Sequence, residues 1–304
     1  MKTNLVFVTG GGGFLGRCLV PMLKQKGYEV DAPSSKQCDL TLPDSLQSWT
    51  KPYDLIFHLA AWTQAGDFCL KHPGEQWVIN QKINTHVLAW WQQRQAQAKA
   101  ILIGTSCAYD PRLPLIEDNY LKGEPIESLY TYAMTKRILW VGALALAKQY
   151  GLQAVNFVPS TLCGNYYHED GRQMHFIYDL VRKILQAKKT EEPAVLWGNG
   201  HQRREVVLVD EFCQGILEIV SADKGWGQVL NLGAGKDHSI REFVQTICRI
   251  LEVDTSLIKY DESKYVGASA KCLSVQKIRT LIPWDPSAPT ICVKNVIQAF
   301  SWKN

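Results

Sequence analysis

The sequence predicts an α/β protein, with a doubly wound parallel sheet followed by a smaller C-terminal domain. Three observations lead there. Apolar, β-branched runs alternate with helical stretches across residues 4–159. A glycine cluster at 10–13 separates the first such run from the first helix. Beyond Pro159 the pattern breaks into shorter pieces rich in polar and aromatic residues.

Each element follows from its local pattern. NLVFVT (4–9) reads as a strand, and FLGRCLVPMLKQKG (14–27) as a helix closed by Gly27. YEVDA (28–32) reads as a second strand, DSLQSW (44–49) as a short helix and YDLIFHLAA (53–61) as a fully buried strand. A helix from about 76 to 97, the strand AKAILIGTS (98–106), the helix YTYAMTKRILWVGALALAKQYG (130–151) and the strand LQAVNFVP (152–159) complete the first half. Strands alternating with helices in this way imply a parallel sheet covered on both faces. The expected division is 1–163 for a nucleotide-binding domain and 164–304 mainly for a substrate-binding lobe, with about 206–235 returning to the first domain.

Composition excludes several classes. With 46% hydrophobic and 20% charged residues, the 304-residue chain is neither disordered nor fibrous. No apolar run reaches the roughly 18–20 residues a membrane helix needs, and the first ten residues lack signal-peptide order. A soluble, cytoplasmic protein is expected. The 33 basic and 29 acidic residues form no block of like charge, which predicts no nucleic-acid or membrane partner. Nine scattered cysteines without a CxxC pair predict reduced thiols and no metal site.

Gly10, Gly13 and Gly16 stand at the spacing TGxxGxxG between the first strand and the first helix. The first allows a tight turn, the second lets backbone approach a pyrophosphate, and the third lets helix pack on strand, with the helix N-terminus facing the phosphate charge. This context predicts dinucleotide binding. Asp31 lies early for an acid that would hold the ribose hydroxyls of NAD, whereas Ser34, Ser35 and Lys36 suit an extra phosphate. NADP(H) is therefore favoured and NAD(H) left open. Asp39 suits either an adenine edge or an ordinary cap.

Tyr132 and Lys136, four apart on a helix, share one face. An ammonium near a phenol stabilises phenolate and fits the tyrosine for proton transfer. A second such pair, Tyr260 and Lys264, lies outside the nucleotide-binding half and is expected to be solvated surface.

The glycine turn, a Ser/Thr at the end of the fourth strand and YxxxK together resemble the extended short-chain dehydrogenase/reductases, the NAD-dependent epimerase/dehydratase family, which use a Rossmann-type sheet. Within it the resemblance is to the GDP-L-fucose synthase branch, NADPH-dependent 3,5-epimerase-4-reductases of GDP-4-keto-6-deoxy sugars. It runs through LIGTSCAYDP (102–111), YAMTK (132–136), FVPSTLCG (157–164), MHFIYDLVRK (174–183) and VLWGNGHQRREVVLVDE (195–211).

The resemblance implies roles residue by residue. Cys107 and His175 match the base and acid that invert the carbons beside a ketone; Tyr132, Lys136 and Thr105 match the hydride-transfer machinery. Phe14, Leu15, Leu40, Ala60, Ala61 and Pro159 join the three glycines and Asp39 around the dinucleotide. Arg204, and also Lys183, Trp197 and Lys271, fall on the substrate side. Departures are Gly12 and Ala270, where the family carries arginines, Thr161 in place of an asparagine, and the divergent loop 165–173. The expected function is an NADP(H)-dependent nucleotide-sugar reductase with 3,5-epimerase activity, working as a homodimer. The alternatives are a C4 epimerase or a plain 4-ketoreductase and, from another class, a dinucleotide sensor without turnover.

Overall fold

A computed structural model describes residues 4–167, 173–264 and 267–301. The first half runs β1 (Leu5–Thr9), α1 (Phe14–Gln25), β2 (Glu29–Asp31), β3 (Leu55–His58), α2 (Phe68–Lys71), α3 (Pro73–Arg94), β4 (Lys99–Ile103), α4 (Tyr130–Tyr150) and β5 (Ala154–Pro159). The second half runs β6 (Thr161–Cys163), α5 (Phe176–Thr190), β7 (Ala194–Trp197), β8 (Arg203–Arg204), β9 (Val206–Leu208), α6 (Val209–Ser221) and β10 (Val229–Leu232). It closes with β11 (His238–Ser239), α7 (Ile240–Leu251), β12 (Ile258–Asp261), β13 (Ala270–Lys271), α8 (Gln276–Arg279) and α9 (Pro289–Ser301).

Six strands form one parallel sheet in the order β10-β5-β4-β3-β1-β2. β1 and β3 are buried along their whole length, which is why both read as unbroken apolar runs. The cores on the two faces differ in content. Trp90 and Trp91 of α3 and Leu139 and Trp140 of α4 belong to one, and Leu19 and Leu23 of α1 and Phe212 and Ile216 of α6 to the other. A third core joins Ile184 of α5, Phe243 of α7 and Val293 of α9.

The lobe strands pair in small sheets, β11-β8-β13 and β12-β7, while β6 pairs with β9. α7 is started by a reciprocal capping box, in which Ser239 Oγ accepts from the Glu242 amide and Glu242 Oε2 accepts from the Ser239 amide. α4 ends at Gly151, whose φ of +71° suits a residue without Cβ.

The helix expected at 44–49 does not form. The segment turns instead, with i→i+3 bonds from Ser45, Gln47 and Trp49 to the carbonyls of Leu42, Asp44 and Leu46. Pro43 and Pro52 bracket a stretch too short to offset the cost of helix nucleation. Among the described residues no helix is long and apolar enough to cross a membrane.

Candidate active site

The chain leaves β1 and passes to opposite sides of it for β2 and β3, so a crevice opens past their C-terminal ends. Gly10 borders it with φ +69°; a Cβ there would stand 2.8 Å from the Ala60 nitrogen. At Gly16 a Cβ would meet the Gly10 carbonyl oxygen at 2.5 Å, so α1 packs on the turn only because that carbon is missing. Gly13 caps α1 without a side-chain bond, which leaves the first-turn amides of Phe14, Leu15 and Gly16 to an anion. The cradle and the uncapped helix fit a dinucleotide pyrophosphate.

Beneath the crevice lies a buried polar chain. The Leu59 and Ala60 amides donate to Thr9 Oγ1 (3.1 and 3.2 Å), which leaves the Thr9 hydroxyl proton for His58 Nδ1 at 2.8 Å. His58 Nε2 then donates to Asn84 Oδ1 (3.1 Å), and Asn84 Nδ2 to the Thr135 carbonyl (3.3 Å). This sequence of donors assigns a neutral imidazole. Burial, reinforced by the Lys136 ammonium, pushes His58 down to about 4. None of this network was singled out in the sequence, where His58 was simply part of a strand.

Tyr132 and Lys136 stand on α4 within its first two turns. Lys136 is buried, and burial pushes it down to about 8. Contrary to the expectation from the YxxxK spacing, Lys136 does not bring the tyrosine down. Burial pushes the Tyr132 phenol up, and the thiols of Cys107 and Cys69 add to the rise. A neutral phenol is a proton donor, the state reduction of a ketone requires. Tyr260 and Lys264 do not share a helix; Tyr260 lies on β12 with the Arg241 guanidinium over its ring.

Past β4, Thr105 caps the turn Ser106–Ala108, its Oγ1 accepting from the Cys107 amide at 3.2 Å. The Lys271 ammonium lies 3.1 Å from Cys107 Sγ. Burial pushes this thiol up, but Lys271, the hydrogen bond with Thr105 and the Arg204 guanidinium outweigh it, and the net direction is down. A small cleft between Cys107, Tyr109, Ile126, Ala268 and Lys271 adjoins the pair.

The remaining expected residues fall into groups. Arg204 and Lys271 are register partners on β8 and β13. Lys183 binds Asp179 at 3.0 Å and stands over the half-exposed Trp197 ring, 5.5 Å from its centroid. His175 precedes α5, its amide donating to the Tyr167 hydroxyl (3.0 Å). Pro159 ends β5, and beside it the buried Ser160 hydroxyl has no partner among the described residues. Leu40 is buried, its carbonyl receiving His86 Nδ1, and Ala61 follows Ala60 along the crevice. Asp39 accepts from the amide and hydroxyl of Thr41 in a turn that leads into no helix. Of the loop 165–173, residues 168–172 lie outside the described residues.

Two further features escaped sequence reasoning. Asp31 is held by Tyr53 (2.8 Å) and Lys51 (3.0 Å). At the glycine turn, Arg17 Nε donates to the Gly12 carbonyl and its guanidinium lies over Tyr166, whose hydroxyl donates to the Gly13 carbonyl. A cation directly after the third glycine was the available signal. At Gly12 itself a Cβ would meet nothing within 4 Å.

Comparison with known proteins bears on the family and the fold. A family profile described as NAD dependent epimerase/dehydratase family matches residues 6–233. GDP-L-colitose synthase of Yersinia pseudotuberculosis is 27% identical over 278 residues, 88% of each chain. GDP-L-fucose synthase of Escherichia coli is 26% identical over 299 residues, 92% of this chain and 91% of that one. In structure, a GDP-L-fucose synthetase from Naegleria fowleri superposes with a TM-score of 0.84 at 20% identity, covering 100% of this chain and 95% of that one. A UDP-glucose 4-epimerase from Thermotoga maritima does so with 0.83 at 21%, covering 97% and 98%. With the profile spanning most of its length, the chain belongs to the NAD dependent epimerase/dehydratase family.

Proposed function

We propose that this chain is an NADP(H)-dependent reductase, with 3,5-epimerase activity, acting on a GDP-linked 4-keto-6-deoxy sugar. One cluster carries the reading: Cys107 touches Lys271 and lies within electrostatic reach of both Tyr132 and Arg204. A thiol base, a phenol acid and a guanidinium suited to a diphosphate are thereby neighbours. The names of the sequence relatives supply the GDP-linked substrate class. For the cofactor, a Naegleria fowleri GDP-L-fucose synthetase and a Campylobacter jejuni GDP-mannoheptose C4 reductase with this fold are described with NADP bound. Asp31, already engaged by Lys51 and Tyr53, is not a free acid for a ribose.

The residues then divide the work. A C4 ketone acidifies the protons on C3 and C5, and the Cys107 thiolate removes one to leave an enolate, becoming a thiol. His175 returns a proton from the other face. When bound, the dinucleotide supplies hydride for C4. Tyr132 gives its phenolic proton to the C4 oxygen. Thr105 Oγ1 accepts the Cys107 amide, and its own proton, which bonds the Cys107 sulfur, becomes available to the same oxygen once that sulfur has taken a proton. Lys136, Gly10, Gly13, Phe14, Leu15, Gly16, Asp39, Leu40, Ala60, Ala61 and Pro159 line the cofactor side. Arg204, Trp197, Lys183 and Lys271 line the substrate side.

The division at 163/164, cytoplasmic residence and a homodimer belong to the same proposal. Ile138, Val141 and Leu144 of α4, with Trp77 and Val78 of α3, are exposed apolar residues suited to a second copy.

The test is incubation of the purified chain with GDP-4-keto-6-deoxymannose and NADPH in deuterated water. Oxidation of NADPH with deuterium at C3 and C5 is expected. Oxidation without deuterium would reduce the function to a plain 4-ketoreductase. Turnover only with dTDP- or UDP-linked sugars would overturn the GDP assignment, and no turnover with any keto sugar would favour the sensor.

A further inference from the structure

Lys271 sits on β13 opposite Arg204 of β8, yet its ammonium reaches across to Cys107, 164 residues away in sequence, at 3.1 Å. An ammonium is a donor only, so sulfur is the acceptor in this contact; a thiolate accepts strongly and a neutral thiol weakly. The strand that carries Lys271 is pinned. Glu205, which follows Arg204, is buried at 3% exposure. Its Oε1 accepts the Leu273 amide (2.8 Å), and its Oε2 accepts the amides of Ala234 (2.8 Å) and Gly235 (3.1 Å). One carboxylate therefore joins the end of β8, the chain just past β13 and the turn after β10 of the main sheet. No Cβ fits at Gly233, where it would stand 2.7 Å from both carboxylate oxygens.

We propose that Lys271 is the counter-ion that holds Cys107 as a thiolate. The assignment gives Lys271 a task at the base itself, beyond contact with substrate, and it rests on the reading of Cys107 as the base. The electrostatics agree in direction, since Lys271 is the largest of the influences that overcome burial at this thiol. Charge balances through the step. The thiolate takes a carbon-bound proton, the sugar becomes an enolate, and the ammonium keeps its own protons beside a now neutral thiol.

The test needs neither substrate nor cofactor. The rate of iodoacetamide alkylation at Cys107 is followed against pH by mass spectrometry of its peptide in wild type, Lys271→Met and Lys271→Arg, with Cys107→Ser as the blank. Lys271→Met is expected to move the midpoint upward and slow alkylation at pH 7 by about tenfold, the loss of thiolate that one pKa unit carries. Lys271→Arg, which keeps the charge, is expected to stay near wild type. An unchanged midpoint in the Met variant would overturn the proposal, as would an Arg variant as slow as the Met variant. A wild-type chain that turns over no GDP-linked keto sugar but shows these shifts would overturn the functional reading while supporting the ion pair.

Discussion

Arg137 donates from its Nε to the carbonyl of Ala108 at 2.8 Å, which ties α4 to the residue directly after Cys107. The same guanidinium also serves the carbonyls of Gly123 and Lys122. One buried cation thus fixes the turn that presents the thiol against the helix that presents Tyr132. Arg137→Met leaves buried carbonyls unpaired and is expected to cost about 2–4 kcal/mol of stability, read from urea denaturation. It should also broaden the pH profile of Cys107 alkylation, because the turn no longer has one position.

Under the proposed division of roles, removing the phenol separates the two halves of the chemistry. Tyr132→Phe is expected to cut NADPH oxidation by about 10²–10⁴-fold. Deuterium incorporation beside the ketone should persist at nearly the wild-type rate, because Cys107 and His175 remain. Equal loss of both in a mass-spectrometric time course would contradict separate roles.

The glycine cradle predicts a steric result. At Gly16 the added carbon of Gly16→Ala meets backbone on two sides, the Gly10 oxygen at 2.5 Å and the Gly11 carbon at 2.6 Å. Affinity for NADPH, measured by fluorescence titration, should fall by at least about tenfold, since backbone there has no flexible group to yield. Gly12→Ala meets nothing within 4 Å and should leave affinity unchanged.

Two buried groups give opposite slopes of stability against pH. His58 is held down to about 4, so between its unfolded value near 6.5 and that point the unfolded chain binds the extra proton, and stability falls as pH falls. Glu205 is pushed up to about 7 by burial, so between about 4.5 and 7 the folded chain binds the extra proton, and stability falls as pH rises. In the overlap, about 4.5 to 6.5, the two largely cancel. Glu205→Gln removes one of them. Its unfolding free energy from urea denaturation should drop steadily from pH 6.5 toward 4.5, by about 2 kcal/mol, where wild type stays nearly flat.

Much of the fold was legible because parallel strands buried on both faces leave continuous apolar runs, and because a turn as tight as that at Gly10 tolerates few other residues. Tyr132 and Lys136 were legible as neighbours, since four residues of helix bring side chains together whatever the tertiary structure. The link between Cys107 and Lys271 was not, nor was the clamp at Glu205. These depend on strands from three parts of the chain meeting at one end of the sheet, and no local spacing encodes that. The polar chain through Thr9, His58 and Asn84 was hidden for a related reason: inside an apolar strand a histidine looks like any other residue until its partners on α3 are known. The failed helix at 44–49 shows the converse, a pattern locally acceptable but cut short by its flanking prolines.

The position of β10 at the end of the main sheet has a practical consequence for anyone dissecting the protein. A fragment stopped at residue 163 would lose that outermost strand together with α6. β5 would then become a bare edge offering unpaired backbone groups, and Leu19, Leu23 and the adjoining sheet face would lose the cover of Phe212 and Ile216. Such a fragment should aggregate when expressed alone, and excision of the nucleotide-binding half requires carrying the stretch through Leu232 along with it.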